Sequence, residues 1–174
     1  MATFGELVEQ IDDNLDKQRH RGTAFEKMVV AYLKNEPAYK QKFEDVWMLN
    51  EVSAEYHISK KDTGVDIVAK DYEGNLTAVQ AKFYKGKVSK AGIDSFVAET
   101  GKDVYSAGML VSSTDQWNSN AQSTLENTTK PFTTIGLSQL RNAHFDWKKF
   151  SFAKENLNLS SKKVKKEFDY QKEA

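Results

Sequence analysis

Apolar residues recur at three- and four-residue spacing near the start of the chain, at Phe4, Leu7, Val8, Ile11 and Leu15. That period predicts an amphipathic helix over residues 3–18. The charged stretch from Asp16 to Gly22 reads as a link. A second helix is expected to open at Gly22 and Thr23, with Thr23 as N-cap and Phe25, Met28, Val29, Tyr32 and Leu33 as its buried face. Pro37 ends that helix or begins the next turn, and Phe43 to Asn50, holding Val46, Trp47, Met48 and Leu49, reads as a short buried strand. Glu51 to Thr63 gives little signal.

The pattern then changes to a period of two. Val65, Ile67 and Ala69 alternate with Asp66 and Val68, and after a turn Val79, Ala81 and Phe83 alternate with Gln80 and Lys82. This is a β-hairpin. A loop of Tyr72, Glu73 and Gly74 puts glycine at the left-handed position such loops favour and sets Asp66 opposite Gln80. Asp66, Gln80 and Lys82 are then expected to share one face.

Beyond the hairpin, Ser89 is expected to cap a helix with Ile93, Phe96 and Val97 inside, and Ala107 to Val111 reads as a second core strand. A helix from about Gln116 to Asn127 turns Trp117, Ala121 and Leu125 inward, Pro131 to Ile135 makes a short edge strand, and Leu137 to Asn142 one or two helical turns. Phe145, Trp147, Phe150 and Phe152 are read as closing the core. The order is αβββαβ at its centre, an α/β fold with a mixed sheet flanked by helices. It divides into an N-terminal helix (1–20) packed on a core (21–152) and a charged extension or linker (153–174).

Composition narrows the setting. The 174 residues suit one domain, and zero cysteines exclude disulfides and thiolate metal sites, so a reducing, cytoplasmic location is expected. The longest apolar run, Met28 to Leu33, is far short of a membrane span. Net charge is zero, from 25 basic and 25 acidic side chains, but Lys82 to Lys90 holds four lysines and no acid. Lys87 and Lys90 flank the expected helix start at Ser89, a place suited to a backbone phosphate as well as to solvated lysines. A lone His57 and Glu55 are left out of any site.

An acid, an amide and a cation in mid-strand forfeit apolar packing and need partners. A carboxylate and an amide oxygen can hold a hard divalent cation, while a lysine two residues on can orient water or steady a pentavalent phosphate. Glu26 falls between Val29, Val30 and Leu33 on the helical wheel and so leans toward the core. It could belong to such a site, or complete a Thr23-x-x-Glu26 capping box.

Gly64-Val65-Asp66, followed fourteen residues on by Gln80-Ala81-Lys82, resembles the PD-(D/E)XK nuclease superfamily in its Mrr-like branch, where glutamine replaces the second acid. From Arg21 to Trp147 the chain resembles the N-terminal nuclease domain of Type ISP restriction-modification enzymes, in RGTAFEKMVVAYLKNEPAYKQKFEDVWML, KVSKAGIDSF, LVSSTDQWNSNA and PFTTIGLSQL. The resemblance implies a restriction-endonuclease-like fold and Mg²⁺-dependent cleavage of double-stranded DNA, with Mn²⁺ as a possible substitute. It implies Asp66, Gln80, Lys82 and Glu26 as catalytic residues. The metal would be held by Asp66, Gln80, the Ala81 carbonyl and Glu26, and DNA met by Lys85, Lys87, Ser89 and Lys90. Helicase-like and methyltransferase domains of the same polypeptide would be partners, with ATP serving only that absent motor. Rival readings are a nuclease-like DNA-binding or docking module without catalytic metal, a partner-binding domain exposing Phe145 to Phe152, and a dimeric junction resolvase.

Overall fold

The computed structural model describes residues 3–15, 18–60, 64–83, 90–117 and 119–152. Helix α1 (Phe4–Asn14) starts at a capping box in which Thr3 and Glu6 satisfy each other's backbone N–H groups, and buries Phe4, Leu7 and Ile11. Helix α2 is one continuous helix, Gln18–Asn35, so the expected link across Asp16 to Gly22 is corrected: helix has already begun at Gln18. Arg21 explains the early start. Its guanidinium donates to the carbonyls of Leu15 (2.7 Å) and Asp12 (3.3 Å) and pairs with the Asp12 carboxylate at 3.8 Å, so a residue on α2 covers the open end of α1.

A short helix α3 (Pro37–Lys40) carries its proline in the first turn and leads into strand β1 (Phe43–Met48). Two 3₁₀ turns, Leu49–Glu51 and Ala54–Tyr56, occupy the stretch that gave little signal. Strands β2 (Ile67–Asp71) and β3 (Leu76–Lys82) form the hairpin. Its loop is the expected one: Asp71 N–H donates to Asn75 O at 2.9 Å, and Gly74 sits at φ +90°. Then come α4 (Ala91–Thr100), β4 (Ala107–Ser112), α5 (Ser119–Glu126), β5 (Phe132–Ile135) and α6 (Leu137–Arg141).

The strands lie in the order β1-β2-β3-β4-β5, antiparallel from β1 to β3 and parallel from β3 to β5. Pro131 precedes an edge strand, where its missing N–H costs no ladder bond. On one face lie α1, α2 and α6, and Ile67, Ala69, Val79, Ala81, Met109 and Val111 point toward them. Val68, Leu76 and Ala78 point to the other face, where α4 and α5 pack. The aromatic end closes the first layer: Trp147 lies 5.0 Å from Phe4 between ring centroids, and its indole N–H donates to Leu140 O at 2.7 Å. Trp147, Phe150 and Phe152 are buried, which removes the exposed apolar patch that a partner-binding reading of this segment required.

Lys130 ties the loop between α4 and β4. Its ammonium donates to the carbonyls of Thr100, Lys102 and Tyr105 at 3.0, 2.6 and 2.8 Å, receiving the carbonyls at the end of α4 where a cation is favoured. No helix of the described residues is long and apolar enough to cross a membrane.

Candidate active site

The β2–β3 ladder runs regularly from Lys70–Leu76 to Ile67–Val79 and then changes. Asp66, one residue before β2, donates its N–H to the Val79 carbonyl at 2.9 Å, so two consecutive residues engage Val79 in the manner of a β-bulge. The bulge turns the Asp66 side chain out of strict alternation. Its Oδ2 accepts from the Ala81 N–H at 2.9 Å, taking the hydrogen bond that a longer β2 would have supplied. A ladder N–H points within the plane of the sheet. The carboxylate therefore sits at the sheet's own level, in the gap where β2 has ended.

Glu26 reaches the same carboxylate from α2. Burial, reinforced by the negative charge of Asp66 and by a hydrogen bond between the two side chains, pushes the Glu26 carboxyl up from its ordinary 4.5 to about 8. The shift favours the protonated form of Glu26, which can donate to the Asp66 carboxylate. The capping-box reading of Glu26 is corrected here: Thr23 lies inside α2, five residues past its start, and is not its N-cap.

Gln80 approaches from the opposite face. It alternates with Val79 and Ala81, which point toward α2, and so faces α4, as does Lys82. The expectation that all three polar residues share one face thus holds for Gln80 and Lys82, while the bulge sets Asp66 at the edge between the faces. Gln80 is 2% exposed. Its Nε2 donates to Gly64 O at 2.9 Å, and its Oε1 is buried without a hydrogen-bond partner among the described residues. Because the partner of Nε2 is a carbonyl, the network leaves no choice about which amide atom is oxygen.

Gly64 makes this approach possible. It adopts φ +85°, and a Cβ there would lie 3.1 Å from Gln80 Nε2 and 3.0 Å from the Phe96 backbone nitrogen in α4. Lys82 is half-buried, and its carbonyl accepts from Ser113 N–H at 3.0 Å.

Glu26 and Asp66 open onto a cleft of about 390 Å³, also lined by Thr23, Met48, Asn50 and Lys60. Lys60 has no counterpart among the residues singled out from sequence, since nothing in the polar stretch before Gly64 distinguishes it. Among the described residues no group of three or more His, Cys, Asp and Glu is placed to hold a metal. Two carboxylates meet at the gap, and the unpartnered Gln80 amide oxygen is buried on the α4 side of β3. All are hard oxygen atoms, the set that suits Mg²⁺.

Of the expected DNA-contacting residues, Lys85, Lys87 and Ser89 lie outside the described residues. Lys90 stands just before α4, exposed, with its ammonium 3.0 Å from Asp94 Oδ2. Glu55 and His57 are exposed, and His57 closes the second 3₁₀ turn in a left-handed conformation at φ 56°. The extension expected over 153–174 also lies outside the described residues.

None of the curated proteins matches the chain. Among solved structures, the ATP-dependent Type ISP restriction-modification enzyme LlaBIII bound to DNA is 46% identical over 88% of this chain, with a TM-score of 0.73. The match spans 9% of the LlaBIII chain. A repair endonuclease from Pyrococcus abyssi aligns over 71% of this chain and 48% of its own at 18% identity, with a TM-score of 0.41. Residues 34–157 match the family model Mrr_cat_2, described as a restriction endonuclease. That match takes in all five strands of the sheet, with Asp66 and the Gln80-Ala81-Lys82 strand, and the chain belongs to the Mrr-type restriction endonuclease family.

Proposed function

We propose that the chain is a Mg²⁺-dependent deoxyribonuclease that hydrolyses phosphodiester bonds of double-stranded DNA, without sequence preference of its own. In this reading it serves as the nuclease part of a longer restriction-modification polypeptide with helicase-like and methyltransferase domains, where ATP serves only the motor. One observation carries the proposal: the Glu26 and Asp66 carboxylates meet at the edge of β3, where Asp66 accepts from the Ala81 N–H, and the same strand carries a buried amide oxygen with no hydrogen-bond partner among the described residues. Each of those features costs free energy in a domain that has nothing to bind.

Asp66 and Glu26 are the charged groups that would hold the ion, with the Gln80 Oε1 and the Ala81 carbonyl as neutral donors. Bound there, Mg²⁺, or Mn²⁺ in its place, would polarise a phosphoryl oxygen and acidify a water. Lys82 positions or deprotonates the attacking water from the α4 side of β3. Two carboxylates and an amide carry one negative charge fewer than three carboxylates, which favours one tightly held ion over two. Lys85, Lys87, Ser89 and Lys90 are proposed to meet DNA phosphates, so binding should be salt-sensitive and indifferent to sequence.

Cleavage of supercoiled plasmid in Mg²⁺ tests this. Asp66→Asn keeps an oxygen able to accept from the Ala81 N–H, and Lys82→Ala leaves the ladder intact, so both variants should fold and neither should cut. Wild-type cleavage persisting in either variant would end the assignment.

A further inference from the structure

We propose that Lys60 is a DNA-binding residue of this cleft, its ammonium held in advance to receive a backbone phosphate of the strand being cut. The inference rests on the nuclease reading of Glu26 and Asp66 for its substrate. Its own support is the fixation of a surface lysine at the cleft. Lys60 is exposed, yet its Nζ donates to two main-chain carbonyls, Leu49 O at 2.7 Å and Val52 O at 2.6 Å.

Those carbonyls belong to the 3₁₀ turn after β1, which is itself closed by the Val52 N–H to Leu49 O bond at 3.3 Å and by Glu51 Oε1 accepting from Met48 N–H at 3.0 Å. Leu49 in turn donates its N–H to the Asp66 carbonyl at 3.0 Å. One residue, Leu49, thus links the ammonium to the backbone of Asp66 through two short bonds. The ammonium is tied to the main chain that carries Asp66. A free lysine would lose considerable rotamer freedom on meeting a phosphate, and this one has already lost it.

Such a group suits the cleft. Glu26 and Asp66 both line it, and a phosphodiester approaching two acids is repelled unless positive charge stands near. Lys60 is the cation among its described lining residues. An ammonium has three N–H donors, and two are engaged, which leaves one without a protein acceptor among the described residues.

The experiment uses the whole chain and a fluorescently labelled DNA duplex, with affinity measured against KCl concentration in EDTA so that no cleavage occurs. Lys60→Gln can still donate to a carbonyl but carries no charge, and Lys60→Arg keeps the charge. Loss of one phosphate contact should lower the slope of log affinity on log salt by about 0.9 in Lys60→Gln, and Lys60→Arg should restore it. An unchanged slope in folded Lys60→Gln overturns the proposal.

If that variant does not fold, the ammonium resonance of Lys60 in the wild-type chain is followed as duplex is added. A shift or broadening supports the contact, and an unmoved resonance overturns it. Plasmid cleavage by the wild type in Mg²⁺ is run on the same preparation. Its absence, with the Lys60 effect on binding present, removes the nuclease reading and leaves the contact standing.

Discussion

The Gln80 amide nitrogen is held by the Gly64 carbonyl at 2.9 Å, and this single bond aims the amide oxygen into a buried place where no protein group among the described residues receives it. An acceptor left without a donor costs about 1–3 kcal/mol. A positive ion would repay that cost, and so would removal of the oxygen. Gln80→Met, close in volume, is therefore expected to alter the stability of the metal-free chain by no more than about 1 kcal/mol, since it removes the orphan and one good hydrogen bond together. Its affinity for Mg²⁺ or Mn²⁺ should fall at least about tenfold, the equivalent of ~1.4 kcal/mol. Calorimetric titration and urea unfolding on the same variant check both halves, and unchanged metal affinity would take Gln80 out of the site.

Glu26 gives the metal-free chain a specific pH dependence. Its carboxyl is held near 8 in the folded chain against an ordinary 4.5, so the folded state keeps a proton that the unfolded state has released between those values. The stability this group contributes is full below about pH 4.5, declines as pH rises, and is gone above about 8. Unfolding in EDTA between about pH 5 and 9 should show the decline, and Glu26→Gln, which cannot titrate, should flatten it. A slope identical in wild type and Glu26→Gln would show that the pair does not share a proton.

Binding of a divalent cation should expel that same proton. At neutral pH, titration heats measured in buffers of different ionisation enthalpy should report close to one proton released per ion in the wild type, and fewer in Glu26→Gln. Equal release in both would exclude Glu26 from the ion's surroundings.

Gly64→Ala places a methyl group against Gln80 Nε2 and the α4 backbone at φ +85°. Backbone strain of this kind costs about 1–3 kcal/mol, and the amide would be pushed from its seat. Thermal unfolding should show the loss, and metal affinity should fall with it. Gly74→Ala, equally left-handed at φ +90° but with open space around the added methyl, should cost stability alone.

Lys130→Met serves as a structural contrast. Removing one ammonium from three carbonyls, far from the carboxylate pair along the chain, should destabilise by roughly 2–4 kcal/mol through the α4–β4 loop. Metal affinity of the fraction that remains folded should be that of the wild type.

The hairpin was legible because its signals are local: alternation decides the faces of Ile67, Ala69, Val79 and Ala81, and Gly74 decides the turn. The buried glutamine was also legible, since a polar side chain amid Val79 and Ala81 contradicts the pattern around it. What alternation cannot show is a bulge. Asp66 leaves the register through a hydrogen bond to Val79, a residue thirteen positions away, and no feature of Gly64-Val65-Asp66 announces it. The start of α2 was misplaced for a related reason. Gly22 looks like a break, but nothing lies within 4 Å of its missing Cβ, and the turn before it is held by Arg21 reaching back to α1. Lys60 was invisible because its partners are carbonyls, which every residue has.

The strand bearing Gln80, Ala81 and Lys82 is held by β4 from Thr77 to Lys82, and by β2 as far as Val79. Each of its amides bonded into one of these ladders must wait for that ladder to part, so those should be among the slowest in the molecule to exchange with deuterium. A centre built into so firm a spot is a poor candidate for being switched on and off by local melting. In the proposed nuclease, any brake on cutting would then govern whether a duplex reaches the gap, and not whether the gap exists.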